Sequence, residues 1–105
     1  MQIAKFAIGQ IVHHKRHGYR GVIADADPEC TMDDTWYHTK TDAIDARDKP
    51  WYEVLIDGTP ITIYVAEEAI ELSDSHDEIE HPMLADYCLI FDGDHDCYRP
   101  AYPCN

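Results

Sequence analysis

Histidine and cysteine side chains give this chain its clearest metal-binding chemistry. Imidazole and thiolate groups suit zinc or nickel, and the candidates are His13, His14, His17, His81, His95 and Cys97. A structural zinc site needs four ligands placed together, yet no Cys-x-x-Cys pair occurs, and the i, i+4 pair His13 and His17 falls on a predicted hairpin. The sequence therefore predicts exposed histidines and no metal site.

An acidic run near the carboxyl end imitates the start of a calcium-binding loop. Asp92, Asp94 and Asp96 have the spacing of the first three ligands of such a loop. The position that requires a sharp-turn glycine holds Cys97, however, and the twelfth position holds Pro103 in place of a bidentate glutamate. A solvated acidic loop is the better interpretation.

Nucleophilic catalysis finds little support. Ser73 and Ser75 are the only serines, and they share one short loop with His76 and Asp77. Neighbouring side chains along a loop do not form the nucleophile, base and orienter geometry that acyl transfer needs. Nothing places Cys30 beside a histidine, and no glycine-rich phosphate loop occurs. We expect no catalytic residues, no cofactor and no enzymatic activity.

A short basic segment over residues 13–21 is the candidate nucleic-acid interface. Its candidate contact residues are Lys15, Arg16, His17, Tyr19 and Arg20. Residues 1–24 hold four basic side chains and no acid, a charge of +4; the remaining residues hold four basic and 21 acidic side chains, a charge of −17, and the sum is −13. DNA-binding domains usually present a broader basic face, so a solvated hairpin tip is the competing interpretation.

The stretch from Pro50 to Tyr98 has the opposite character. It contains thirteen acidic residues and neither lysine nor arginine. A surface of this charge repels a phosphate-bearing partner and attracts a partner with a basic patch.

Size and composition indicate one globular domain. A chain of 105 residues with 45% hydrophobic residues can bury one core but has no room for two. It shows neither a run of about 18 apolar residues nor a signal peptide, which predicts a cytoplasmic protein without a membrane partner. In that compartment the cysteines are expected to stay reduced, namely Cys30, Cys88, Cys97 and Cys104.

Two β-hairpins are predicted before residue 66. The first joins the β-prone runs 8–14 and 19–25 through a loop that contains Gly18, and the second joins 51–56 to 61–65 through Asp57-Gly58. Between the hairpins, 29–49 reads as a long surface excursion, with one helical turn around 43–46.

Alternation in the second hairpin predicts which side chains face the core. Tyr52, Val54, Ile61 and Ile63 are expected to share one face. Because Trp51 and Tyr52 alternate in face, one of the two aromatic rings is expected at the rim or in solvent. An exposed aromatic side chain there is a candidate protein contact, and coverage by the 29–49 excursion is the alternative.

The carboxyl-terminal part is predicted to form a turn at 66–69, a strand at 70–72 and then a helix. The helix prediction rests on an i, i+3, i+4, i+7 apolar pattern between Pro82 and Gly93, formed by Leu84, Tyr87, Cys88 and Phe91. The expected fold is mainly β: a small, bent SH3-like barrel of four to five strands over 6–72 within a single domain 1–105, with a short C-terminal helix in an extension over 79–105.

An ordered set of short motifs resembles the YccV-like domain family, whose single-domain bacterial members are the HspQ heat shock proteins. The motifs are Ile8-Gly9-Gln10, His14, Gly18-Tyr19-Arg20-Gly21-Val22-Ile23, Asp25, Asp27-Pro28, Pro50-Trp51-Tyr52, Val54-Leu55 and Tyr64-Val65-Ala66-Glu67-Glu68. Several motifs in fixed order are far more specific than one short motif. The tail over 79–100 resembles the longer form of the domain that is fused to some F-box ubiquitin-ligase subunits.

The resemblance implies a small β-barrel without enzymatic activity, stress-linked expression and one of two roles. The first role is to enhance degradation of substrates by the ATP-dependent protease Lon; the second is to bind hemimethylated DNA. The acidic stretch favours the first, with the protease or its substrates as partner, and the candidate contact residues are Trp51, Tyr52, Glu67 and Glu68. Weak DNA binding through the basic hairpin is the alternative, and self-association stays open.

Overall fold

The computed structural model describes residues 4–31, 35, 48–75 and 77–100. Its strands are β1 (Ile11–His14), β2 (Arg20–Asp27), β3 (Trp51–Ile56), β4 (Thr62–Ala66), β5 (Ile70–Leu72), β6 (Leu89–Asp92) and β7 (Cys97–Pro100), with a 3-10 turn at Glu67–Ala69. The two predicted hairpins and the turn followed by strand 70–72 are confirmed. The helical turn predicted around 43–46 lies outside the described residues.

Five antiparallel strands form one bent sheet in the order β4-β3-β2-β1-β5, and β6 pairs with β7 in a second, two-stranded sheet. The prediction of a mainly β fold is confirmed. The prediction of a barrel is wrong in one respect, because β4 and β5 form no ladder with each other within the described residues. After the three-residue 3-10 turn the chain pairs with β1 instead of running beside β4, so the sheet stays open.

One face of the sheet carries the first core cluster: Phe6, Val12, Ile23, Tyr52, Val54 and Ile70, with Ile63 and Val65 packed against them. The register pairs Val54 with Ile23 on one side and with Ile63 on the other, which brings these β-branched side chains into contact. The predicted inward positions of Tyr52, Val54 and Ile63 are confirmed. The prediction for Ile61 is wrong: it precedes β4 and remains 53% exposed.

The opposite face of the sheet is covered by the carboxyl-terminal segment. The second cluster joins Ile11, Val22, Ala24 and Leu55 of the sheet to Ile79, Leu89 and Tyr98 of the tail, with Met83, Leu84, Tyr87 and Phe91 against it. The sheet is therefore buried on both faces, which explains why β3 has five buried residues among its six.

The predicted C-terminal helix is wrong, although its apolar residues do pack on the core. Residues 82–88 form turns, and Leu89 begins β6. One i to i+4 hydrogen bond forms, from the Tyr87 N–H to the Met83 carbonyl (3.1 Å), and Cys88 then adopts a positive φ of 57°. A left-handed residue ends a right-handed helical turn, so the chain reverses and returns as the β6–β7 hairpin.

The prediction that all cysteines stay reduced is wrong for Cys88, which is disulfide-bonded. Cys30 and Cys97 are free thiols, and Cys104 lies outside the described residues. The expectation came from an assumed reducing compartment, and cysteine spacing alone contains no information on which residues meet. In the part of the chain that the structure describes, no helix has the length and apolar character needed to cross a membrane.

Candidate functional site

The turn between β1 and β2 carries a cluster of three aromatic rings. The rings of His14 and His17 stack with centroids 4.5 Å apart, and Tyr19 lies 5.1 Å from His14 and 6.1 Å from His17. Lys15 and Arg16 are exposed in the same turn. Gly18 permits this geometry because its φ of 77° is a conformation that side chains disfavour. The structure therefore brings the predicted residues 15–19 together on one tip.

His14 has an internal role in that tip. Its Nδ1 accepts hydrogen bonds from the backbone N–H groups of Arg16 and His17, each at 3.1 Å, which requires an unprotonated Nδ1. Partial burial, then the neighbouring charges of His17 and Arg16, lower the pKa of His14 below its ordinary value of 6.5. The neutral ring therefore organises the turn, and His14 contributes less positive charge to the tip than an unperturbed histidine would.

Arg20, by contrast, is engaged within the molecule. Its guanidinium donates to the carboxylate of Asp57 (3.2 Å), to the carbonyl of Asp77 (2.6 Å), and more weakly to Ser73 Oγ and the carbonyl of Ser75 (both 3.4 Å). The planar guanidinium is therefore shared between Asp57, in the turn after β3, and three residues in the segment after β5. The predicted phosphate contact of Arg20 would require breaking this set of bonds.

The two aromatic residues predicted for protein contact are both buried. Trp51 is 1% exposed and Tyr52 is 0% exposed. Trp51 packs with Cys30 and Ala66 and stacks on Tyr64 with ring centroids 5.4 Å apart. The expectation that one of the rings is exposed is wrong, because the sheet is covered on both faces and alternation along β3 sends each ring into a different cluster.

Tyr52 and Glu67 form an internal hydrogen-bond network at the amino-terminal segment. The Tyr52 hydroxyl donates to Glu67 Oε2 at 2.6 Å and accepts from the Phe6 N–H at 3.1 Å, and the Lys5 N–H donates to the same Glu67 oxygen at 2.8 Å. This network ties the start of the chain to the 3-10 turn. The remaining predicted contact residue, Glu68, is exposed and forms an ion pair with Lys49 Nζ at 2.8 Å.

The acidic stretch becomes an anionic surface in the structure. Its exposed members are Glu68, Glu71, Asp74, Asp77, Glu78, Glu80, Asp86, Asp94 and Asp96. We call these residues the acidic surface. Sequence reasoning identified the charge of this stretch but did not identify which acids stay exposed; Glu53, Asp57 and Glu67 are drawn into internal bonds instead.

Three further histidines lie apart from that turn and from one another, each in a hydrogen bond. His13 contacts Glu71 (2.7 Å), His81 contacts the Ile61 carbonyl (2.9 Å), and His95 contacts Asp92 (2.8 Å) in the turn between β6 and β7. Within the described ranges no group of three or more histidine, cysteine or acidic side chains converges as metal ligands would.

Tyr87 fastens the tail to the sheet through a contact that sequence reasoning missed. Its hydroxyl donates to Glu53 Oε1 on β3, so an apparently apolar helix position is in fact a polar anchor. The bond to Glu53, then burial, raises the pKa of Tyr87 to about 12. Burial, then the bond to Glu67, raises the pKa of Tyr52 to about 12 as well.

The raised pKa values of Tyr52 and Tyr87 predict that the folded protein loses stability at alkaline pH. In the unfolded chain a tyrosine titrates near 10, so the stabilising contribution of each phenol is complete below that pH and disappears as the pH rises towards about 12. We expect the melting temperature to fall between these values and the fall to be smaller in Tyr87→Phe. Thermal melts across this range, beside a phenolate absorbance titration, measure both. An identical alkaline decline in Tyr87→Phe would contradict the assignment.

A family model described as "Hemimethylated DNA-binding protein YccV like" matches residues 4–95. The match begins before β1 and reaches the turn after β6, so it includes the whole five-stranded sheet, the basic tip and most of the acidic surface. It includes all the motifs from Ile8 to Glu68 and reaches into the tail. This chain belongs to the YccV-like family.

Proposed function

We propose that this chain is a non-enzymatic interaction module that binds a basic protein surface and enhances the degradation of selected substrates by an ATP-dependent protease of the Lon type. The observation that carries the proposal is the distribution of exposed charge. Along the chain, the acidic surface extends from the 3-10 turn to the β6–β7 turn without an intervening lysine or arginine, and Glu68 at its start pairs with Lys49. A surface of one sign attracts a partner of the opposite sign and raises its rate of association.

The internal bonds of two basic residues also favour a basic protein partner over DNA. Arg20 bonds to Asp57 and to the carbonyls of Ser75 and Asp77, and His14 is held neutral by its contacts in the turn. Two of the groups that would attract phosphate are therefore engaged internally. The remaining basic tip is small beside the acidic surface.

A degradation assay tests this function. Addition of the protein to a purified Lon-type protease is expected to raise the degradation rate of some members of a substrate panel, with no hydrolysis by the protein alone. The variant Asp74→Asn, Asp77→Asn, Glu78→Gln removes three exposed charges whose carboxylates make no described internal bond, and it should lose most of the stimulation. Lys15→Ala with Arg16→Ala is the control and should retain stimulation. Unchanged rates across the panel would refute the proposal.

Binding to hemimethylated DNA is the second candidate function. The stacked rings of His14, His17 and Tyr19 beside exposed Lys15 and Arg16 resemble the aromatic and basic composition of a nucleic-acid contact. Contacts to a duplex from this end of the chain would come from Lys5, Lys15 and Arg16, which could neutralise about three phosphates and release their counterions. The slope of log affinity against log salt should then be about −3 or shallower.

A further inference from the structure

The structure holds an open cleft where the β3–β4 turn meets the start of the tail. It is shallow and open to solvent, with a volume of about 430 Å³. The lining residues are Gly58, Thr59, Pro60, Glu80, His81 and Pro82. We call it the Pro60–Pro82 cleft; exposed Ile61 follows Pro60 directly.

Hydrogen bonds fix both walls of the Pro60–Pro82 cleft. The Gly58 N–H donates to the Glu80 carbonyl at 2.8 Å, and the Glu80 N–H donates to Asp57 Oδ1 at 2.7 Å. The Thr59 hydroxyl bonds to the Ile56 carbonyl at 3.0 Å and accepts from the Ile61 N–H at 3.0 Å. The cleft is therefore preformed, which lowers the entropy lost when a ligand binds.

Side-chain groups of the lining differ in whether they already have partners. Nε2 of His81 bonds to the Ile61 carbonyl at 2.9 Å, and Nδ1 accepts from the Met83 N–H at 3.1 Å. The Glu80 carboxylate, by contrast, is exposed and has no partner among the residues that the structure describes. The cleft thus offers two proline rings and a single negative charge.

The charges around the cleft are almost entirely negative. Asp77 and Glu78 precede Glu80 and are exposed. Asp57 binds Arg20, and the Arg20 guanidinium is already shared with the carbonyls of Ser75 and Asp77. No lysine or arginine occurs between Pro50 and Tyr98, so Glu80 has no neutralising neighbour on its own segment.

We infer that the Pro60–Pro82 cleft binds one arginine or lysine side chain of a protein partner. An aliphatic stem fits between the proline rings while its cationic head reaches the Glu80 carboxylate, since such side chains bury their stems on apolar surface and keep the charge at the rim. The inference rests on the proposed function in one respect, that the partner is a basic protein, and it gives the acidic surface a specific point of recognition.

The test is an NMR titration of the ¹⁵N-labelled full chain with a blocked tripeptide Ala-Arg-Ala and with its neutral citrulline counterpart. The arginine peptide should shift the amide signals of Gly58, Thr59, Glu80 and His81, and the citrulline peptide should bind about tenfold more weakly. Glu80→Gln should reduce affinity for the arginine peptide about five- to tenfold. Asp94→Asn, which removes the same charge at the β6–β7 turn, should change it less than about twofold, because an exposed charge at a distance is screened.

The outcomes separate the cleft from the proposed function. Equal weakening by Glu80→Gln and Asp94→Asn, or shifts that avoid the cleft, would overturn the inference and indicate general attraction to the acidic surface. Cleft binding by the arginine peptide without stimulation of any Lon-type protease would uphold the inference and refute the proposed function. Stimulation of the protease that is undiminished in Glu80→Gln, together with no peptide binding, would refute the cleft alone.

Discussion

Replacing Gly9 by alanine is expected to detach the β6–β7 hairpin from the sheet and to lower the free energy of unfolding by about 3 kcal/mol or more. Gly9 has a φ of 98°, and a Cβ at this position would overlap the backbone carbonyl of Tyr98. The contact is tight because Gly9 is bonded on both sides: its N–H donates to the Ile23 carbonyl (2.8 Å) and its carbonyl accepts from the Tyr98 N–H (2.7 Å). The added methyl group can be accommodated only if β7 moves away.

Gly18→Ala is the matched control for Gly9→Ala. Gly18 also has a positive φ, 77°, but a Cβ there would meet nothing within 4 Å. It should cost only the backbone strain, about 1 kcal/mol. Chemical denaturation gives both values, and the fluorescence of Tyr98 and its neighbours reports release of the hairpin. Equal losses in the two variants would show that β7 does not depend on close approach to Gly9.

Val54→Asp is the second substitution with a very large expected effect. Val54 is 1% exposed and lies in the first core cluster between Ile23 and Ile63. An aspartate there would bury a charge without a partner, at a cost of about 4 kcal/mol or more. Domains of this size are stable by about 5–15 kcal/mol, so this cost removes a large part of the stability, and the melting temperature should fall sharply or the cooperative transition should disappear, as circular dichroism would show.

Two control substitutions test whether the buried charge at position 54 causes the loss of stability. Val54→Ala removes volume without adding charge and should leave a folded but less stable protein. Glu53→Gln, one residue earlier on the opposite face, keeps an oxygen that the Tyr87 hydroxyl can donate to and should cost about 1 kcal/mol or less. A cooperative, native-like melt for Val54→Asp would contradict the strand register.

The sheet was predictable because its signals are local. Gly18 and Gly58 both have positive φ at the turns of the two hairpins, and the alternation of Tyr52, Val54 and Ile63 matches the face that they share. Propensity and turn chemistry agree there with the tertiary structure. The prediction for Ile61 is wrong because β4 begins at Thr62, one residue later than the predicted strand.

The tail was not predictable from periodicity. Leu84, Tyr87 and Phe91 have helical spacing and do face the core, yet a turn followed by a strand buries the same residues. The periodic pattern identifies which side chains are apolar. The backbone conformation depends instead on the positive φ of Cys88 and on the pairing of β6 with β7. A turn and a hairpin can be predicted here in place of a helix only when the surface of the sheet that the tail packs on is known.

The candidate site shows a similar limit. Charge counts identified the basic tip and the acidic stretch, but they could not show that Arg20 bonds to Asp57 across 37 residues. Likewise, the rim position expected of Trp51 or Tyr52 assumed a sheet with one solvated face, whereas Cys30, Ala66 and Tyr64 pack around Trp51. Pairing between distant residues is a tertiary property, so it has no signature in composition or spacing.

The central claim is that this chain recognises a basic protein surface in preference to DNA. The direct measurement is a set of three anisotropy titrations of the labelled protein at about 0.15 M salt: one with a Lon-type protease, one with a hemimethylated duplex and one with an unmethylated duplex as reference. We predict saturable binding of the protease and negligible binding of both duplexes. Submicromolar binding of the hemimethylated duplex that is lost in Lys15→Ala with Arg16→Ala, and no binding of the protease, would contradict the claim.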